Sequence, residues 1–131
     1  MPYAIEWKRR GVVKTFSGVV SSQELVDSFR EVGAHPLFDD LFFILSDFRA
    51  VTKLELEAWA IQEMAAMRLG SSHTNGGARA VMVGGEEIRE LERAMGRAPL
   101  EDTRETRFFR SMALARQWLK SQPPPIRRES R

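Results

Sequence analysis

Asp47, at the end of the apolar run LFFILSDF over residues 41–48, and Arg49 beside it are the polar residues best placed to do chemistry in this chain. Ligand sites of open α/β sheets gather at strand ends. An aspartate there also fixes its loop by accepting hydrogen bonds from backbone donors, and this structural role carries the greater weight. Thr52 is the hydroxyl that follows. In Thr52-x-x-Glu55 it reads as the cap of a helix start, with the glutamate returning a bond to the cap's own N–H. A phosphate on Thr52 would then sit on a helix N-terminus, so the residue is both a helix cap and a candidate phospho-acceptor. Threonine is a common cap, and the cap is the stronger reading.

The remaining chemistry-bearing residues argue against catalysis. The chain has no cysteine, which removes disulfides, thiolate metal sites and a thiol nucleophile, and fits a reducing compartment. His35 and His73 are the only histidines, placed in loops on either side of the second helix. They have no short ligand spacing, and a metal would need Asp39 and Asp40 to complete its shell. No G-x-S-x-G elbow specifies a serine nucleophile. Gly84-Gly85 leads into Glu86 and Glu87, whose charge opposes an anion where a phosphate loop would hold one. The expectation is a protein with no catalytic residues, no metal and no cofactor.

With 131 residues the chain makes one domain that buries about two-thirds of its unfolded surface. No run approaches the roughly 20 apolar residues of a membrane span, and MPYAIEWKRRGVV lacks a signal-peptide core. A cytoplasmic, soluble protein without membrane insertion is expected. The net charge of +2 is small, and its distribution is uneven, acidic in the middle and basic toward both ends. Phe108 and Phe109 lie among arginines but read as strand core, so a nucleic-acid surface is not expected.

These residues must be positioned by the elements around them. Tyr3, Ile5 and Trp7 alternate with Ala4, Glu6 and Lys8 as a half-exposed strand, and Arg9-Arg10-Gly11 turns it into a second strand over 12–18. Ser21-x-x-Glu24 caps a helix carrying Leu25, Val26, Phe29 and Val32, stopped near His35-Pro36. Residues 41–48 read as a buried central strand with helices on both faces. A capped helix over 53–70 follows, then a turn at 73–77, a strand over 78–83 and a helix on Ile88, Leu91 and Met95. A polar connection over 98–105 leads to a strand over 106–110. Ser111 caps a last helix with Leu114, Ala115, Trp118 and Leu119 facing inward. The order is β-β-α-β-α-β-α-β-α, an α/β fold with a mixed, mostly parallel sheet and an N-terminal hairpin, spanning 1–120. Residues 121–131, SQPPPIRRESR, read as a loose basic tail.

This order, with the segments EWKRRGVVKTFSGVVSSQEL, HPLFDDLFFILSDFRAVT and SMALARQWL, resembles the anti-sigma-factor-antagonist (STAS) fold, and more closely the small bacterial SpoIIAA-like proteins. The resemblance spans about residues 3 to 120. It implies a sheet with helices stacked against it and no agreed biochemical activity. In the phospho-switch members of the fold, a serine in an Asp-Ser-Ser-Gly-like turn after the central strand is phosphorylated. The matching stretch here, Asp47 to Lys53, lacks Ser-Ser-Gly, and Thr52 is the hydroxyl nearest the expected helix start.

The second helix is apolar beyond one stripe. Trp59, Met64 and Met67 fit three roles: a core helix between layers, a homodimer or partner seam, or the lining of a pocket for a small apolar, lipid-like ligand. The functional expectation is a non-catalytic regulatory module that binds protein partners, self-associating through helix 53–70. The alternative is a carrier of an apolar ligand beneath that helix.

Overall fold

The computed structural model describes residues 3–75, 78–97 and 106–122, with side chains over 3–68, 78–94 and 106–122. The expected connection over 98–105 and the tail from 123 onward lie outside the described residues. Strands β1 (Tyr3–Lys8), β2 (Gly11–Ser21), β3 (Phe43–Glu55), β4 (Arg79–Val83) and β5 (Thr106–Phe109) form one sheet in sequence order. β1 and β2 are antiparallel, and every other pair is parallel. The helices are α1 (Ser22–Gly33), α2 (Ala58–Asn75), α3 (Arg89–Arg97) and α4 (Met112–Ser121), with short 3-10 turns at Phe38–Asp40 and Glu86–Ile88. The predicted fold class and element order hold.

The hairpin turn places Arg10 at a positive φ of 61°, and Gly11 lies under the Phe43 ring where a β-carbon would collide. Phe16, Val20, Leu25, Val26, Phe48, Val51, Ala60, Met64, Met82, Ile88 and Leu91 form the main core. It lies between one sheet face and α1, α2 and the Glu86–Leu91 segment. Leu45, Val81, Val83 and Ala115 form a second cluster on the opposite face, under α4. That cover is partial: Ala4, Glu6, Lys8, Thr15, Ser17 and Val19 of β1 and β2 remain exposed. Both faces are therefore covered only over β3 to β5.

The predicted capping box at Ser21 forms. Ser21 Oγ accepts from Glu24 N–H at 3.2 Å, and the Glu24 carboxylate accepts from Ser21 N–H at 2.8 Å. The second predicted box does not exist. β3 continues through Thr52 and Glu55, staying paired with β2 to its last residue, and α2 begins at Ala58 rather than 53. Thr52 is therefore an exposed strand residue and caps no helix. At the other end α2 runs to Asn75, so the loop expected from His73 is helical through Asn75. In α4, Leu114 is 53% exposed, and Met112, Ala115, Trp118 and Leu119 make the inward face instead.

Two register shifts explain β3. Between the pairs Thr15–Asp47 and Ser17–Ala50, and again between Gly18–Val51 and Val19–Lys53, β3 advances one residue more than β2. Each shift is a bulge, and bulges re-aim the side chains that follow them. Opposite the second, Gly18 takes a φ of 67°, which a side chain would strain. As a result Phe48, Val51 and Leu54, three apart rather than two, all meet the core.

Ser22 fixes the passage from β3 into α2. Its buried hydroxyl donates to the Glu55 carbonyl at 2.6 Å and accepts the Glu57 N–H at 2.8 Å. One side chain of α1 thus satisfies two backbone groups at the exit from β3, before α2 begins. Ser22→Ala strands both groups, and urea denaturation should register a loss of about 2–3 kcal/mol.

Candidate functional site

β4 ends at Val83, opposite Asp47, while β3 continues for eight more residues. This step in the sheet is the C-terminal end of the parallel strands, and Asp47 lies on its floor on the α4 side. The Asp47 carboxylate is held on three sides by Arg49. Arg49 Nε donates to Oδ1 at 2.9 Å, a terminal guanidinium nitrogen to Oδ2 at 2.9 Å, and the backbone N–H to Oδ1 at 3.0 Å. Asp47 and Arg49, two apart in β3, share a strand face, which brings the guanidinium to the carboxylate. Burial raises the Asp47 pKa, but the Arg49 side-chain and backbone hydrogen bonds and the charges of Arg49 and Arg116 outweigh it and leave it below the usual value. Its partner Arg49 is shifted up by the same pairing. The carboxylate is therefore ionised and saturated with donors, an arrangement suited to holding a bulge and ill suited to moving protons at neutral pH.

The structure brings Asp47 and Arg49 together as the sequence implied and separates the other candidates. Thr52 is the residue without a β2 partner in the second bulge. It lies inside β3, six residues ahead of the first residue of α2, so the helix dipole that would favour a phosphate at a cap is missing. The start of α2 carries Leu56-Glu57-Ala58, with the Glu57 carbonyl accepting from Ala60 and Ile61 N–H. Met64 is in the main core, and Met67 packs against it from the side. Trp59 is 42% exposed on the outer side of α2, near exposed Gln62, Glu63 and Ala66. The three therefore line no common surface. His35 stacks on Trp7 with ring centroids 3.9 Å apart, and its Nδ1 accepts the Leu37 N–H at 3.0 Å. His73 belongs to α2, with its side chain outside the described set. Among the described residues no three histidine, aspartate or glutamate side chains gather as a metal site, and no helix is long and apolar enough to cross a membrane.

Sequence reasoning missed two buried basic groups. Arg68 of α2 donates to Thr106 Oγ1 at 2.7 Å and so ties α2 to the start of β5. Lys14 of β2 is 2% exposed under α1, with Nζ 3.4 Å from Ser28 Oγ and 4.2 Å from the centre of the Phe29 ring. Burial lowers its pKa to about 7. The signal was present in the alternation: Val12, Lys14 and Phe16 share one strand face, and its other members are core residues.

No protein-family model matches this sequence, and no curated protein does. Solved structures do. The chain is similar to the anti-sigma factor antagonist SpoIIAA in its unphosphorylated form, with a TM-score of 0.58 and 11% identity over 92% of this chain and 99% of that one. It is similar to an anti-sigma factor antagonist from Mycobacterium paratuberculosis, with a TM-score of 0.57 and 19% identity over 91% and 93% of the two chains. An uncharacterized protein with a SpoIIAA-like fold from Shewanella loihica gives a TM-score of 0.51 and 17% identity over 89% and 91%. A five-stranded sheet with one antiparallel hairpin, continuing in parallel and carrying four helices, thus has the SpoIIAA-like, STAS-type fold that the sequence resembled.

Proposed function

We propose that the protein is a non-catalytic regulatory module of the cytoplasm that acts by binding a protein partner, an anti-sigma factor or a protein built like one. The observation that carries this reading is the likeness to two anti-sigma factor antagonists over nine-tenths or more of both chains in each pair. The saturated Asp47–Arg49 pair is consistent with it, since its polar atoms hold the strand rather than wait for a substrate. The binding surface is the step where β3 outruns β4, together with the outer side of α2 from Trp59. Aromatic side chains that are already part-exposed lose little entropy and bury much area when a partner covers them. The same side of α2 serves self-association.

Calorimetric titration of the purified chain with anti-sigma factors from its own genome tests the proposal. Binding is expected, with Trp59→Asp weakening it at least about tenfold, or about 1.4 kcal/mol. Light scattering on the same samples is expected to show a dimer that Trp59→Asp dissolves. No binding to any of these factors would remove the regulatory reading, and a dimer that survives in Trp59→Asp would move the seam elsewhere. A lipid found by native mass spectrometry would favour the carrier alternative instead.

A further inference from the structure

Lys14 is a cation built into an apolar layer. Its side chain rises from the middle of β2, between Ile5 of β1 and Ser46 of β3, and ends beneath α1. Both groups it meets most closely, the Ser28 hydroxyl and the Phe29 ring, belong to that helix. Ser28 Oγ is itself engaged, donating to the Leu25 carbonyl at 2.8 Å, so it offers the amine a long 3.4 Å contact. The Phe16 ring lies 5.7 Å away. An ammonium needs three acceptors or water, and the face of an aromatic ring replaces only part of that.

The charged groups on the surrounding elements are committed elsewhere. On α1, Glu24 closes the capping box, Asp27 meets Gln23 and Arg30, and Glu31 accepts from the Tyr3 hydroxyl of β1 at 3.2 Å. Glu63 of α2 faces Arg30 at 3.5 Å, and Arg68 reaches Thr106. Glu6 and Lys8 of β1 pair with each other on the far face, and Asp47 of β3 lies on that face with Arg49. Burial alone governs the proton affinity of Lys14; no carboxylate offsets it.

We propose that α1 is a proton-gated cover: uptake of a proton by Lys14 Nζ favours lifting of the helix from β1 and β2 while the rest of the sheet stays folded. The cover is the element that moves because the amine's close contacts are on it, and lifting it is the shortest way to give the ammonium water. Its anchor at the Ser22 clamp keeps the N-terminal end near β3 as the remainder opens.

The direction follows from linkage. The closed state holds the proton with a pKa of about 7, against 10.5 for an exposed lysine. Opening therefore becomes more favourable as pH falls toward 7, by about tenfold per pH unit, and levels off below it.

Hydrogen–deuterium exchange of the full chain from pH 6 to 8.5, corrected for intrinsic rates, tests the gate. Amides of residues 25–32 should gain protection about tenfold per pH unit above pH 7 while remaining far less protected than Leu45 and Val81, and Lys14→Met should abolish the slope. The same slope in Lys14→Met would overturn the proposal, as would protection of residues 25–32 equal to that of Leu45 and Val81, which marks exchange by global unfolding alone. Should Lys14→Met not fold, NMR titration of the lysine ε-amine in the unaltered chain decides: a value near 7 supports the gate, and one near 10 ends it.

Discussion

Phe48→Ala should cost about 3–5 kcal/mol, the largest loss expected from any single truncation in this fold. Phe48 is fully buried, and its ring stacks on Phe16 with centroids 4.6 Å apart and planes within 2°. Val20, Leu25, Met64, Met82, Ile88 and Leu91 belong to the same cluster, so elements on either side of β3 would face the same void. The backbone offers little relief. Phe48 sits at the first bulge, with Asp47 and Arg49 locked together on either side of it, so the strand cannot slide to fill the space. Urea unfolding should move to a lower midpoint with an unchanged slope, the sign of lost stability without a changed fold. A loss under about 1 kcal/mol would mean that Phe48 is not the centre of the core.

Lys14→Met should act in the opposite sense. Methionine keeps the length of the stem and removes the desolvated charge, and replacements of this kind stabilise by about 1–4 kcal/mol. The sign of the pH dependence is fixed by the depressed pKa. Between about 7 in the folded state and 10.5 in the unfolded chain, the unfolded form binds more protons, so stability of the unaltered protein rises with pH across that window. Below about 7 the lysine is charged in both states and contributes its full penalty. Lys14→Met should therefore gain most at and below neutral pH and progressively less toward pH 10, measurable as converging denaturation midpoints. Midpoints that stay parallel across the window would show that the amine is hydrated in the folded protein.

Much of the frame was legible. Tyr3, Ile5 and Trp7 announced β1 through strict alternation, and Ser21 with Glu24 announced α1 through a box that forms atom for atom. The failure at residues 49–57 has a physical cause. Two bulges in one strand turn the apolar period from two into three, and Phe48, Val51 and Leu54 at intervals of three imitate a helix. Thr52 and Glu55, at the spacing of a capping box, completed the imitation. What separates the cases is tertiary: β2 is long enough, at 11 residues, to keep pairing with β3 beyond the end of β4. Nothing local to 49–57 records the length of β2. The candidate site divided in the same way. Asp47 and Arg49 are near in sequence and could be paired on paper, whereas the clamp from Ser22 to Glu55 and Glu57 joins residues more than 30 apart. Trp59, Met64 and Met67 were grouped by composition, and only the helix position shows that Met64 and Met67 turn to the main core while Trp59 faces outward.

The outermost strand has a further consequence. β1 exposes Ala4, Glu6 and Lys8 on one face, and its outer edge has no partner among the described strands. Two copies joining these edges antiparallel over residues 4–8, with their exposed faces on the same side, would set Ala4 opposite Lys8 and bring the two Glu6 carboxylates face to face at the centre. Like charges directly opposed across a strand pair are repelled. A single acidic side chain at the midpoint thus opposes the pairing of two molecules edge to edge in this register, a hazard that open sheet edges carry.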